Sequence, residues 1–535
     1  MSSKYLKGLV NVAKTPGISE KWEELRILVR SNHPTLWGKL RGTRHFVNDR
    51  HEDWKYYGFQ AIQRDLKRVT SEMIPSSSKK KSSILWLDLG YFGELLKYDG
   101  GETFQDHGLG LLRTILHQEG IETDLVSIRN HRSWDELAKH LKGYKILLMN
   151  VRSYRYDIAV TAAQLFHQLN PDGIVMVGGM HTSVDSQSME SIKEFDKICI
   201  GAGEKVITDL VRNPDSFPRV FQGKAAATME DWPLIDRTLW PKPAGWARRF
   251  NFTWPLEEGQ RWGPRPVASV LTSRVCPWQC SFCNERSYIP NMRRRTVDSV
   301  INELNALDDK YNVGSVVIHD SMFFQKKSWL EEWLEKYPQK ANKLWSYWAA
   351  SRADTVCEWP ELFEALIRET NWNVVSIGFE SGSDPMLRML NKQSTEEENE
   401  FVIQLVNRIG DEMEQEGKTP VSFWSNIMLA LPGETHEDAF KTIRMIKRMK
   451  RAAIAMAFFT PFPGSALGNQ LIAENKSLVN EQFVRDQNVG KILGIDYDFY
   501  HNLLQGKYDD EVNQGLSSEE QERDVYQFFS NDAME

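Results

Sequence analysis

Short apolar runs alternate with amphipathic stretches through the middle of the chain. Ile84–Asp88, Ile121–Ser127, Ile146–Asn150, Ile174–Val177 and Lys197–Ile200 are too short for helices and rich in Ile, Leu and Val, so they predict strands. Between them Gly108–Gln118, Ser133–Leu141, Ile158–Leu169 and Glu204–Val211 carry apolar residues at helical spacing, and Ser133 with Glu136 matches a capping box. A helix between successive strands enforces parallel pairing, which predicts a doubly wound α/β sheet of about five strands.

A second series starts near residue 266. Strands are predicted at Ala268–Thr272, Ser315–His319, Ser346–Ala350, Val374–Phe379, Ser425–Ala430 and Ala455–Thr460, with helices such as Val297–Lys310, Trp329–Lys336, Glu396–Arg408 and His436–Met449 between them. Six β/α units predict a partial barrel. Residues 213–265 are interrupted by Pro214, Pro218, Pro233, Pro241, Pro243 and Pro255, the pattern of an irregular connector. Residues 1–82 form a helical N-terminal extension ending in a polar linker, Pro75 to Ser83, and residues 469–535 a mixed C-terminal region. The expected units are therefore 1–82, 83–212, 213–265, 266–468 and 469–535.

Composition narrows the function classes. Lys and Arg total 66 against 73 Asp and Glu, a net charge of -7, which offers no footprint for a nucleic acid. No run approaches the ~18 apolar residues of a membrane span, and Met-Ser-Ser-Lys-Tyr-Leu-Lys at the start lacks an apolar core, so a cytoplasmic protein is expected. Of 5 cysteines, three crowd into one segment, while Cys199 and Cys357 stand alone as expected buried apolar residues. That distribution is not a disulfide framework.

In an α/β protein, ligands gather at the C-terminal ends of the strands. In the first series those ends are Asp88-Leu-Gly, Asn150-Val-Arg152-Ser153-Tyr154, Gly178-Gly179-Met-His181 and Gly201-Ala-Gly203-Glu204. In the second, the opening strand runs into Cys276-Pro-Trp-Gln-Cys280-Ser-Phe282-Cys283, and later strands end at His319-Asp320, Ser351-Arg352, Gly378-Phe-Glu380-Ser-Gly382, Leu431-Pro-Gly-Glu434 and Thr460-Pro-Phe-Pro-Gly464. Three thiolates on one loop can hold an iron–sulfur cubane with one iron left open. A zinc site would need a fourth Cys or His, and none lies nearby in the sequence. Thr435 is placed to cap the helix after Glu434. Trp424, Phe458, Phe459 and Phe462 serve either a substrate pocket or the core.

The cysteine spacing, with an aromatic before the third cysteine, resembles the radical S-adenosylmethionine (SAM) superfamily. The resemblance implies a [4Fe–4S] cluster on Cys276, Cys280 and Cys283, and SAM contacts from Phe282, Asp320, Ser351, Arg352, Glu380 and Gly382. Arg352 would fork onto the SAM carboxylate, and His319-Asp320 departs from the Gly-Gly-Glu-like stretch usual at that strand end. The sheet ahead of the barrel resembles the cobalamin-binding domain of one large class of these enzymes, which includes methyltransferases and the anaerobic magnesium-protoporphyrin ester cyclase. That likeness covers about residues 84 to 465. It implies a cobalamin held by Asn150, Arg152, Ser153, Tyr154, Gly178, Gly179, His181, Gly201, Gly203 and Glu204. No Asp-x-His-x-x-Gly loop follows the first strand, so the cobalt has no histidine ligand from this chain there.

The family chemistry implied is reductive cleavage of SAM to a 5′-deoxyadenosyl radical, followed by methylation of an unactivated carbon. Radical cyclisation is the alternative, and a non-enzymatic cobalamin or iron–sulfur protein, or a barrel with an empty first domain, are further readings. The implied partners are a small-molecule or biosynthetic-intermediate substrate and an external electron donor such as flavodoxin or ferredoxin. No catalytic residue is assigned.

Overall fold

A computed structural model describes residues 82–89, 106–128, 134–239, 267–274, 276–285, 293–479 and 490–526. The expected N-terminal extension, except Ser82, lies outside the described residues, as do Ser133 and the side chains of Glu136 and Tyr154.

The first sheet holds β1 (Ile84–Asp88), β2 (Asp124–Ser127), β3 (Ile146–Asn150), β4 (Ile174–Gly178), β5 (Lys197–Ile200) and β6 (Val220–Gln222). All pair in parallel, in the order β2-β1-β3-β4-β5-β6. The period of two along each strand divides its side chains between two apolar layers. Leu85, Leu87, Leu147 and Met149 join helices Trp134–Leu141 and Tyr156–Leu169 on one face. Ile84, Trp86, Ile146 and Leu148 join helices His107–Gln118 and Ile207–Arg212 on the other. Burial on both faces explains why β1 reads as an unbroken apolar run.

Two expectations need correction. Residues 213–265 were expected to be irregular throughout, yet Val220–Gln222 pairs with β5 and gives the sheet its sixth strand. A three-residue edge strand is too short to show a period. The helix expected to stop at Lys336 runs from Lys327 to Lys340 through Pro338. Buried Trp329, Trp333 and Tyr337 anchor its inner face, and that packing outweighs the proline near its end.

The second sheet contains β7 (Val267–Val270), β10 (Ser315–Ile318), β11 (Ser346–Ser351), β12 (Val374–Glu380), β13 (Ser422–Leu429) and β14 (Ala452–Phe458), parallel and in chain order. This is the partial (β/α)6 barrel. Its outer faces pack beneath helices Val297–Tyr311, Lys327–Lys340, Pro360–Thr370, Glu396–Gln415 and His436–Lys447 in one continuous core. Thr435 and Asp438 cap the last of these reciprocally, as the sequence predicts for Thr435. The C-terminal residues Phe499, Tyr500, Leu503, Val512 and Val525 belong to the same core. Phe458 packs there against Tyr497 and Tyr500 and Phe459 joins another apolar cluster, so both are core residues, while half-buried Phe462 packs against the core of the first sheet.

A small antiparallel ladder, β8 (Ser273–Arg274) with β9 (Arg293–Arg294), closes the base of the cysteine loop. On the first sheet, the β4 turn depends on Gly179, whose φ is +109°. A Cβ there would collide with the Asn150 side chain and lie 2.9 Å from the Val151 backbone. Gly120 also has positive φ, at +71°, but has open space around it. Gly179→Ala is therefore expected to cost about 2–4 kcal/mol, and Gly120→Ala about 1 kcal/mol. Thermal unfolding midpoints of the two variants check this ordering; equal midpoints would contradict it.

Candidate functional site

The cysteine loop is held at the barrel mouth from three sides. Both carboxylate oxygens of buried Asp320, just past β10, accept hydrogen bonds from the backbone N–H and hydroxyl groups of Thr272 and Ser273. Four donors saturate this carboxylate, so Asp320 anchors the entry to the loop. At the far side Ser281 N–H donates to Leu390 O at 2.8 Å, and Leu467 N–H donates to Ser281 O at 2.8 Å. Asn391 Nδ2 donates to Gln279 O at 2.7 Å. Phe282 packs against the apolar cluster around Met386, Leu390 and Leu431.

All three loop cysteines are free thiols, Cys276 and Cys280 half-buried and Cys283 exposed. Cys276 feels the charge of Cys280, and Cys283 that of both. A positive charge is already in place: Arg352 Nη1 lies 3.4 Å from Cys280 Sγ, and its guanidinium sits 4.8 Å from the Trp278 ring centre. The fork of Arg352 is taken by Asp354, at 3.0 Å from Nε and 2.8 Å from Nη2. This internal pair holds the guanidinium against the loop, where the expected fork onto a ligand carboxylate would also have to form.

Beside it, Ser351 is buried, and among the described residues its hydroxyl has no hydrogen-bond partner. Glu380 ends β12 with φ +64° and lies 3.4 Å from Lys392 Nζ; both side chains are buried. Burial pushes the Glu380 carboxyl up, opposed by the charges of Lys392 and Arg352. Gly378 makes room for this pair, since a Cβ there would strike Glu380 and lie 3.3 Å from Lys392 Nζ. Gly382, by contrast, packs on helix His436–Lys447: its Cβ would meet Lys441 O at 2.6 Å, and its N–H donates to Thr442 Oγ1. This glycine allows close packing between strand end and helix. Lys392 was not singled out from the sequence, because it stands at no strand end, and Trp278 was read only as part of the cysteine loop.

The carboxyl edges of the two sheets open into a single cleft enclosing about 1550 Å³ with its open mouth included. Its first wall contains the expected Asn150, Arg152, Gly178, Gly179, Gly201, Gly203 and Glu204. Its second contains Ser273, Arg274, Glu285, His319 and Ser321 from the barrel. Arg274 Nη1 reaches Glu204 at 3.1 Å, and His107 Nε2 lies 3.0 Å from Ser269 Oγ, so polar contacts join the walls. The order β2-β1-β3 puts the chain's change of direction beside this cleft, the usual ligand crevice of doubly wound sheets.

Two expected contacts are absent from the lining. His181 is fully buried, with Nδ1 3.0 Å from Ser153 Oγ and Nε2 3.1 Å from Ser188 Oγ. Burial lowers its pKa to about 4, so it is a neutral packing residue against Tyr156. His181 and Ser153 therefore brace the loop from beneath. The sequence reading also missed Asp106 and His107. Asp106 caps helix His107–Gln118 and accepts from Asn150 Nδ2 at 2.7 Å, and an Asp just before a helical run was the available signal.

Breaking one partner of a buried ion pair strands the other charge. Glu380→Gln alone is expected to destabilise the barrel by about 3 kcal/mol, and Glu380→Gln with Lys392→Met by clearly less. Denaturant midpoints read this cycle; simple additivity would contradict a coupled pair.

Three comparisons bear on this geometry. Residues 270–446 match the model of the Radical SAM superfamily. The anaerobic magnesium-protoporphyrin IX monomethyl ester cyclase of Rubrivivax gelatinosus is 26% identical over 326 residues, 58% of this chain and 55% of that protein. An uncharacterised methyltransferase of Pyrococcus horikoshii is 23% identical over 391 residues, 70% of this chain and 80% of its own. Thus the chain spans little more than half of the cyclase. Among solved structures, the radical SAM methyltransferase TsrM of Kitasatospora setae, with cobalamin and a [4Fe-4S] cluster bound, superposes with TM-score 0.53 at 17% identity. That match covers 77% of this chain and 82% of TsrM, and it shows a shared fold. The three-cysteine loop at the barrel mouth therefore lies in a Radical SAM superfamily domain, residues 270–446, in a chain that shares the overall fold of TsrM.

Proposed function

We propose that the chain cleaves SAM at a [4Fe–4S] cluster on Cys276, Cys280 and Cys283 and methylates an unactivated carbon with the help of a cobalamin in the inter-domain cleft. One observation carries this reading: the glycine-lined edge of the first sheet and the barrel edge bearing His319 and Arg274 face the same cleft. A substrate there would meet both domains at once. The relatives named for methyl transfer and ring closure support the same family of reactions.

The residues fit the groups they would hold. Three free thiols suit a cubane with an open iron, and the partnerless hydroxyl of Ser351 awaits a polar ligand at the same mouth. The glycine edge leaves room for a corrin, and Glu204 Oε2 is buried there without a partner. When bound, the cluster and SAM supply a 5′-deoxyadenosyl radical and the corrinoid a transferable methyl group.

The chain's own side chains set the conditions for that chemistry. Asp320 and the β8–β9 ladder fix the loop geometry, and Arg352 places a cation beside Cys280 that offsets the negative charge of a thiolate cluster. Phe282, Ser351 and Glu380 are assigned to SAM. Asn150, Arg152, Gly178, Gly179, Gly201, Gly203 and Glu204 are assigned to cobalamin, with Tyr154 on the same loop. Burial lowers the His319 pKa to about 4 and holds that of His107 well below the usual range, so both imidazoles stay neutral near pH 7. Neutral imidazoles can hydrogen-bond a substrate without adding charge to the cleft. An external flavodoxin or ferredoxin as reductant, a small-molecule or biosynthetic-intermediate substrate and a cytoplasmic location complete the proposal.

The coproducts separate the alternatives. Incubation of the reconstituted chain with SAM, cobalamin, reductant and candidate substrates is expected to release S-adenosylhomocysteine beside 5′-deoxyadenosine, with labelled methyl carbon in the product. 5′-Deoxyadenosine without S-adenosylhomocysteine would favour cyclisation, and neither coproduct would overturn the proposal.

A further inference from the structure

One side chain joins the three units around the cleft. Arg274 lies on β8, paired with Arg293 in the ladder at the base of the cysteine loop, and precedes Cys276 by two residues. Its Nη1 lies 3.1 Å from Glu204 Oε1 on the opposite wall, and its guanidinium sits 4.8 Å from the ring centre of Trp232 in the connector. Just ahead of it, Thr272 and Ser273 are fixed by Asp320. Arg274 is thus the point where the barrel's own anchoring of the loop gives way to contacts from the first sheet and the connector. The other contact between the walls, His107 Nε2 with Ser269 Oγ, ends within β7 rather than on the loop.

Glu204 is the more buried partner, its side chain 5% exposed against 24% for Arg274. Its Oε1 holds Arg274, while Oε2 is buried with no hydrogen-bond partner among the described residues. A carboxylate held by one oxygen alone is less firmly oriented than one held by both, and its second oxygen still calls for a donor. A ligand N–H accepted by Oε2 therefore fixes the carboxylate without displacing the guanidinium from Oε1. We infer that Arg274 is a positioning residue that couples the two cofactor sites: a corrinoid in the cleft steadies Glu204, Glu204 steadies Arg274, and Arg274 steadies the cysteine loop for SAM. This rests on the proposed cobalamin and SAM sites and adds a thermodynamic link between them. The rim of a corrin carries primary amides, donors of the kind that Oε2 lacks. Such a link is reciprocal, so SAM tightens the corrinoid by the same factor by which the corrinoid tightens SAM.

The test uses the full chain, reconstituted anaerobically with iron and sulfide and left without reductant, so that SAM binds and is not cleaved. Equilibrium dialysis with labelled SAM gives its affinity with and without saturating hydroxocobalamin, and an absorption titration with hydroxocobalamin, with and without SAM, gives the reverse. Each ligand is expected to bind the unsubstituted chain about fivefold more tightly when the other is present. In Arg274→Met, which keeps an unbranched side chain and removes the cation, both ratios are expected to fall to about one. Glu204→Gln is nearly isosteric and leaves one acceptor oxygen in place of two, so it is expected to lose the ratios as well, and it serves if R274M does not fold. Ser269→Ala, which removes the other contact between the walls, is expected to keep them. A merely structural Arg274 would lower both affinities in R274M and leave the ratios standing. Ratios retained in R274M or E204Q, or lost in S269A, would overturn the inference. So would ratios of about one in an unsubstituted chain that binds both ligands, which would leave the cofactor reading intact. An unsubstituted chain that binds no SAM or no hydroxocobalamin would overturn the cofactor reading itself, and this inference with it.

Discussion

Parallel strands joined by helices leave all their carboxyl ends on one edge, where backbone groups and loop side chains are no longer committed to the sheet. This chain has two such sheets, and the two edges face one another across a single cleft. Nearly every feature of the site follows from that constraint. The cysteine loop leaves the end of β7, Asp320 follows β10, Arg352 follows β11 and Glu380 ends β12, so four consecutive barrel units deliver their chemistry to one mouth. The glycine turns after β4 and β5 do the same for the opposing wall.

Placing charge in so buried a mouth is costly unless every charge has a partner. The chain meets this requirement locally. Asp354 fixes Arg352, Lys392 faces Glu380, four donors surround Asp320, and Arg274 reaches across the domains to Glu204. These partners also limit what each residue can do. A guanidinium already forked onto Asp354 is a fixed cation for the cysteine loop rather than a free clamp. At this mouth, Ser351 Oγ and Glu204 Oε2 have no hydrogen-bond partner among the described residues and are therefore the more informative pointers to ligands.

Much of the fold was legible because strands buried on both faces read as short, nearly continuous apolar runs, and helical spacing separates them. Val220–Gln222 escaped notice because three residues at a sheet edge carry no period, and Lys327–Lys340 because its aromatic face outweighs Pro338. The three-cysteine loop was legible from spacing alone. Residues at strand ends were located well, but their packing partners were not legible. Position says that Asp320, Gly382 and His181 lie near the edge, but not that Asp320 faces Thr272 and Ser273, that Gly382 abuts a helix, or that His181 turns under its own loop. His107 and Lys392 were illegible as site residues for a different reason: each acts beside elements distant in sequence, a relation that only the folded chain reveals.

The account depends most on an open-iron cluster held by the three cysteines beside Ser351 and Glu380. Electron paramagnetic resonance of the anaerobically reconstituted, dithionite-reduced chain, recorded with and without SAM, tests it directly. The account predicts about four irons per chain and a cluster signal that changes when SAM is added. Iron retention is expected to collapse in Cys276→Ala, Cys280→Ala and Cys283→Ala. A cluster whose spectrum ignores SAM, or one that survives the loss of those thiols, would contradict it.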